Sequence, residues 1–168
     1  MLPPTVIGGV LIVPRSLVRV LTGEADGASD LKAKETREIE LRAMQAVMKI
    51  EKQPGCTPKD VSAARCGYGI ESHIPEELRT EATSSFRFIE VKGRAKGADS
   101  AIVTKNEILT ALNRPEQYLP AIVEADGEHT SMTYLRRPFR NAPDFASRSV
   151  LYDMLDLTSH AEVVFAGH

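Results

Sequence analysis

Apolar and polar positions divide the chain into segments of different period. Residues 6–13 are almost continuously apolar, introduced by Pro3-Pro4, interrupted by Gly8-Gly9 and closed by Pro14. The run is too short to span a bilayer, and it lacks the basic start and small-residue cleavage site of a secretory leader. It is expected to be a buried strand or a docking segment. A short helical stretch at 15–21 follows, and the small polar residues at 22–29 predict a loop. Residues 30–52 carry the strongest helical pattern. Ile39, Ala43, Ala46, Val47 and Ile50 form one stripe, widened by Leu41, Met44 and Met48. Ser29 or Asp30 is placed to cap its start, and Pro54-Gly55 ends it. Glu40 and Glu51 stand about three turns apart, on one face at the edge of that stripe.

Beyond residue 55 the period shortens. Strands are predicted near 68–72, 85–92 and 100–103. Thr104 then starts a helix to Asn113, with Thr104 and Glu107 at the spacing of a capping box, and Arg114-Pro115 stops it. A fourth strand at 117–124 leads through an Asp126-Gly127 turn to a strand at 131–135. A short helix near 149–155 and a last strand near 162–165 complete the chain, with no internal repeat. Helix, three strands, helix, strand is the order of an α/β domain with a mixed sheet flanked by helices. We expect residues 1–29 to be a linker or docking segment and residues 30–168 to form one domain.

Composition narrows the classes. The chain has 168 residues and a formal net charge of −2, so binding to nucleic acid requires a local basic patch rather than a global field. Cys56 and Cys66 form no CxxC pair, and His73, His129, His160 and His168 are scattered. Both facts argue against a zinc site and a disulfide scaffold, and a reducing, cytoplasmic setting without a membrane role is expected.

Candidate chemistry gathers on the strand at 85–92. Side chains two apart share a face, so Phe86, Phe88, Glu90 and Lys92 point one way and Ile89 and Val91 the other. A core-facing row that ends in a carboxylate and an ammonium is costly unless the charges are paired or hold a metal. Two readings stay open: an ion pair at the sheet margin, or a phosphodiester-cleaving site. Such a site needs acidic oxygens for one or two Mg²⁺ ions and a lysine to orient the attacking water.

In these residues the chain resembles the PD-(D/E)XK phosphodiesterase superfamily. More closely, the segment 67–72, the stretch Arg87-Phe88-Ile89-Glu90-Val91-Lys92-Gly93-Arg94, and Thr104-Lys105-Asn106-Glu107 resemble the NO VEIN C-terminal domain family, a nuclease-like domain often found at the end of large helicase-like proteins. The resemblance covers roughly residues 35–140. It implies a restriction-endonuclease-like core, Mg²⁺ or Mn²⁺ as cofactor if the domain is active, and DNA and a helicase-like protein as partners. Position by position, Glu90 matches the second acidic residue, Lys92 the lysine and Glu51 the helix glutamate that joins the metal. Gly69 stands where the family has a metal-binding aspartate. Glu71, two residues on, either substitutes for it, giving Glu90, Lys92 and Glu71 as catalytic residues and Glu51, Glu90 and Glu71 as metal ligands, or is merely solvated. Thr104 and Glu107 are second-tier site candidates beside their capping role.

Arg94, Lys96 and Lys105 near the site, and Arg136 and Arg137 in a second basic run with Arg140, are candidates for nucleic-acid binding or an ordinary charged surface. Tyr68 and Phe139 are candidates to stack on bases, with packing the expected role of Tyr68. The favoured function is a DNA-associated accessory module with a degenerate metal site. The alternatives are an active Mg²⁺-dependent DNA endonuclease, and a protein-interaction domain docking through residues 3–14 onto a larger protein or onto a second copy as a homodimer.

Overall fold

A computed structural model describes residues 27–80, 84–126 and 129–167. The strand expected at 6–13 and the helix expected at 15–21 lie outside the described residues, as does Gly127 of the expected turn. The chain divides into two compact units, Met1–Glu35 and Thr36–His168.

Helix α1 (Gly27–Lys52) starts earlier than its capping signals suggested, so Ser29 and Asp30 lie inside it rather than at its N-cap. Ala43 and Val47 are buried and Met44, Ala46, Met48 and Ile50 pack partly against them. Leu41 does not widen the stripe; it is 56% exposed. It precedes Ala43 by two residues, about 200° around the helix.

Six strands form the main sheet in the order β1-β2-β3-β5-β6-β8. Strands β1 (Thr57–Asp60), β2 (Ile70–His73) and β3 (Phe86–Ala95) form an antiparallel meander. Helix α2 (Lys105–Asn113) crosses over to β5 (Tyr118–Asp126), which pairs parallel to β3. β6 (His129–Arg136) and β8 (Glu162–Gly167) follow, antiparallel. Helix, three strands, helix, parallel strand is the restriction-endonuclease-like order expected from the sequence, but the three strands differ. β1 was not foreseen: Thr-Pro-Lys-Asp buries only Pro58 and lies at the sheet edge, where a proline is tolerated.

β4 (Ser100–Thr104), expected as the third core strand, instead leaves the main sheet and pairs antiparallel with β7 (Ser149–Asp153) as a separate ribbon. The expected helix at 149–155 is therefore corrected. Ser149–Asp153 alternates exposed and half-buried residues, a period of two, with Val150 and Tyr152 packed inward. Helix α3 (Met154–His160) begins only after Asp153, whose carboxylate caps it by accepting the Asp156 N–H at 3.1 Å.

Each face of the sheet carries a core. One packs Ala43 and Val47 of α1 against Ile70, Ile89, Leu119, Ala121 and Val123. The other packs Phe88, Tyr118, Ile122 and Leu135 against Val103, Ile108, Ala111 and Leu157. β3 thus turns its odd-numbered residues to α1 and its even-numbered residues, including Glu90 and Lys92, to α2. Gly93 sets the spacing at α1. A Cβ there would lie 2.9 Å from the Ala43 Cβ and 3.0 Å from the Ile39 carbonyl oxygen, so only glycine admits the helix this close.

Candidate functional site

The even face of β3 opens, beyond Phe88, into a cleft of about 800 Å³. Its walls come from α1 at Glu40 and Met44, the loop before β2, the second half of β3, the ribbon strand β4 and the N-terminus of α2. That loop is pinned to α2 at Gly67 (φ 93°), where a Cβ would strike the Thr110 hydroxyl and approach the Asn106 carbonyl.

Lys92 is the hub. Its Nζ lies 3.0 Å from Glu90 Oε1, and it also contacts Glu107 Oε2, at 2.6 Å. Glu107 completes the expected capping box: the Thr104 hydroxyl accepts the Glu107 N–H, and Glu107 Oε2 accepts the Thr104 N–H at 3.1 Å. One carboxylate therefore both caps α2 and holds Lys92.

Burial dominates the electrostatics. It pushes the Glu90 carboxyl up from 4.5 to about 7, and neighbouring Glu107 adds to the rise while Lys92 opposes it. For Lys92, burial disfavours the charge, but Glu90 and Glu107 outweigh it and hold the ammonium above its ordinary range. The Tyr118 hydroxyl, buried without a hydrogen-bond partner among the described residues, is pushed up by burial and then by the same two carboxylates.

Gly69 sits beside Glu90, its N–H donating to the Ile89 carbonyl at 3.0 Å. Gly69 lines the cleft, as do Glu90, Lys92, Arg94, Thr104 and Glu107. Glu51 does not. It is 1% exposed and pairs with Arg87 at 3.3 Å on the α1 side of the sheet. The helix glutamate at the cleft is Glu40, which sequence reasoning placed on the same helix face without giving it a role. α1 runs antiparallel to β3, so Glu40 lies at Gly93 while Glu51 lies about 16 Å along the helix, at Arg87. Glu71 is opposite Phe88, outside the lining, and its Oε2 accepts the Tyr68 hydroxyl at 3.5 Å.

The carboxylates of the cleft are already engaged by the chain itself. Among the described residues no group of three or more His, Cys, Asp or Glu is placed to hold a metal, and both carboxylates at the centre of the cleft are engaged by Lys92. A Mg²⁺ ion takes one or two protein carboxylates and fills its other positions with water or phosphate oxygens, so Glu90 and Glu107 would have to release Lys92 to hold one.

Of the basic candidates only Arg94 lines the cleft, joined by Arg65, which was not foreseen. Lys96 pairs with Asp126 at 2.8 Å, Arg136 with Glu162 at 3.2 Å, and Arg137 with Glu116. Lys105 Nζ donates to the Phe145 carbonyl at 2.7 Å and lies over that ring. Tyr68 lines the cleft with its ring 4.7 Å from Phe88, whereas Phe139 is buried against Tyr152.

Among solved structures, the Holliday junction resolvase Hjc of the archaeal hyperthermophile Archaeoglobus fulgidus is similar over 74% of this chain and 91% of that one, at 11% identity and a TM-score of 0.45. No curated protein matches the chain in sequence. The family described as protein NO VEIN, C-terminal, matches residues 39–135, more than half of the chain. That span runs from the buried stripe of α1 to β6 and includes Gly69, Glu90, Lys92 and Glu107, and the chain belongs to the protein NO VEIN C-terminal family.

Proposed function

We propose that this nuclease-like domain is a DNA-associated accessory module of a larger helicase-type protein, with a degenerate metal site that holds nucleic acid without cutting it. The observation that carries the reading is the Glu90–Lys92–Glu107 cluster beside Gly69. In a phosphodiesterase of this kind, carboxylates bind the metal and the lysine is left to orient water. Here the lysine is held by both central carboxylates, and the position next to Glu90 offers no side chain.

What remains suits binding. Arg65 supplies a cationic group, and Tyr68 supplies an aromatic edge of the kind on which bases stack. The family description, which concerns the C-terminal part of a protein, supports service to a larger chain.

Fluorescence anisotropy with labelled single- and double-stranded DNA tests the reading. Binding without added metal, weakening at least tenfold between low and physiological salt, is expected. No binding at low salt would leave the protein-interaction alternative.

A further inference from the structure

Among the described residues, one buried cation of the cleft makes no hydrogen bond with its guanidinium nitrogens Nη1 and Nη2. Arg94 is only 7% exposed, and its two terminal nitrogens, Nη1 and Nη2, are buried without a hydrogen-bond partner. It lies two residues beyond Lys92 on the same face of β3, about 7 Å further along the strand. Lys92 contacts two carboxylates, whereas no carboxylate of the described residues forms an ion pair with Arg94. A buried guanidinium with idle donors is among the costlier arrangements in a protein, and its planar fork matches the oxygens of a phosphate.

Two features of the surroundings define what fits. Ser100, Ala101 and Ile102 of β4 wall the cleft, and β4 belongs to a ribbon separate from the main sheet. Both terminal nitrogens are closed to solvent, so an anion reaches them only after neighbouring residues shift. A site closed on this side admits a small molecule or the end of a strand, not the middle of a duplex. A cleft of about 800 Å³ has room for one nucleotide, and Tyr68 offers a ring for its base.

We propose that the cleft is a phosphomonoester site, in which a terminal phosphate docks on the guanidinium of Arg94. The phosphate comes from the end of a nucleic-acid strand or from a free mononucleotide. Only the strand-end source rests on the DNA-associated reading above.

The test is thermal denaturation with inorganic phosphate, with sodium chloride at matched ionic strength as the control for general salt effects. A saturable rise in Tm is expected for the wild type. Arg94→Met should unfold at the same temperature or higher without phosphate, because it deletes an unpaired buried charge, and should lose the phosphate-dependent rise. Arg94→Lys should keep a weaker response, since it retains the charge without the fork. A wild-type Tm indifferent to phosphate overturns the proposal, whatever the variants do. So does an equal rise in Arg94→Met.

Anisotropy then separates the sources, with a labelled mononucleotide and one short strand carrying either a 5′-phosphate or a 5′-hydroxyl. Preference for the phosphorylated strand, about tenfold and lost in Arg94→Met, supports the strand end. Binding of a labelled mononucleotide, with no strand binding, supports the free nucleotide and removes the DNA-associated reading alone. Equal, Arg94-independent binding of both strands, with no Tm response to phosphate, leaves that reading standing and removes this proposal.

Discussion

Glu90 carries a charge that its surroundings resist. The carboxyl ionises near 4.5 in the unfolded chain and near 7 in the folded one, chiefly because it is buried. Between those values the folded state keeps a proton that the unfolded state has released. Stability therefore falls as pH rises through that window and levels off above it. Glu90→Gln mimics the protonated form and should remove this slope. Urea denaturation at pH 5 and pH 8 checks it: the variant should gain on the wild type at the higher pH, and parallel profiles would contradict the assignment.

Glu51 behaves differently. It is buried against Arg87, behind the sheet, so Glu51→Ala should cost about 3 kcal/mol by chemical denaturation. DNA affinity should be unchanged in the same variant. The sequence told these acids apart only in part. Alternation along β3 placed Glu90 and Lys92 on one face, and the Thr104–Glu107 spacing identified the cap. The choice between Glu40 and Glu51 depends on the antiparallel register of α1 against β3, which no local pattern encodes.

At the level of elements, the approach of α1 to β3 fixes where the helix acid meets the cleft. Gly93→Ala should force the two apart, since its Cβ would meet Ala43 and the Ile39 carbonyl near 3 Å. A loss of about 1–3 kcal/mol in thermal or urea unfolding is expected. Gly97, where a Cβ would meet nothing within 4 Å, serves as comparison, though its φ of 76° adds backbone strain of its own. Long periodic elements such as α1, β3 and α2 were legible because their own residues decide them. β1 was not, because Thr57–Asp60 buries a single proline. β4 was recognised as a strand but given the wrong neighbour. Its partner β7 lies some fifty residues away, and pairing over that distance is a tertiary outcome.

For the molecule as a whole, the fold supplies a nuclease-like cleft and the side chains within it decide its use. Cationic and acidic groups line it in comparable number, in keeping with a net charge of only −2, so DNA binding should be modest and strongly salt-dependent rather than driven by a global field. An aspartate at position 69 is structurally permitted. A Cβ at Gly69 meets only the flexible end of Met44 at 3.0 Å and the Ile89 carbonyl oxygen at 3.9 Å.

The most direct measurement is therefore plasmid nicking in Mg²⁺ or Mn²⁺ by wild type, Gly69→Asp and the double variant Gly69→Asp/Glu90→Gln. An inert wild type, metal-dependent nicking by Gly69→Asp, and loss of that nicking in the double variant are expected. Metal-dependent nicking by the wild type that disappears in Glu90→Gln would contradict the degenerate-site reading.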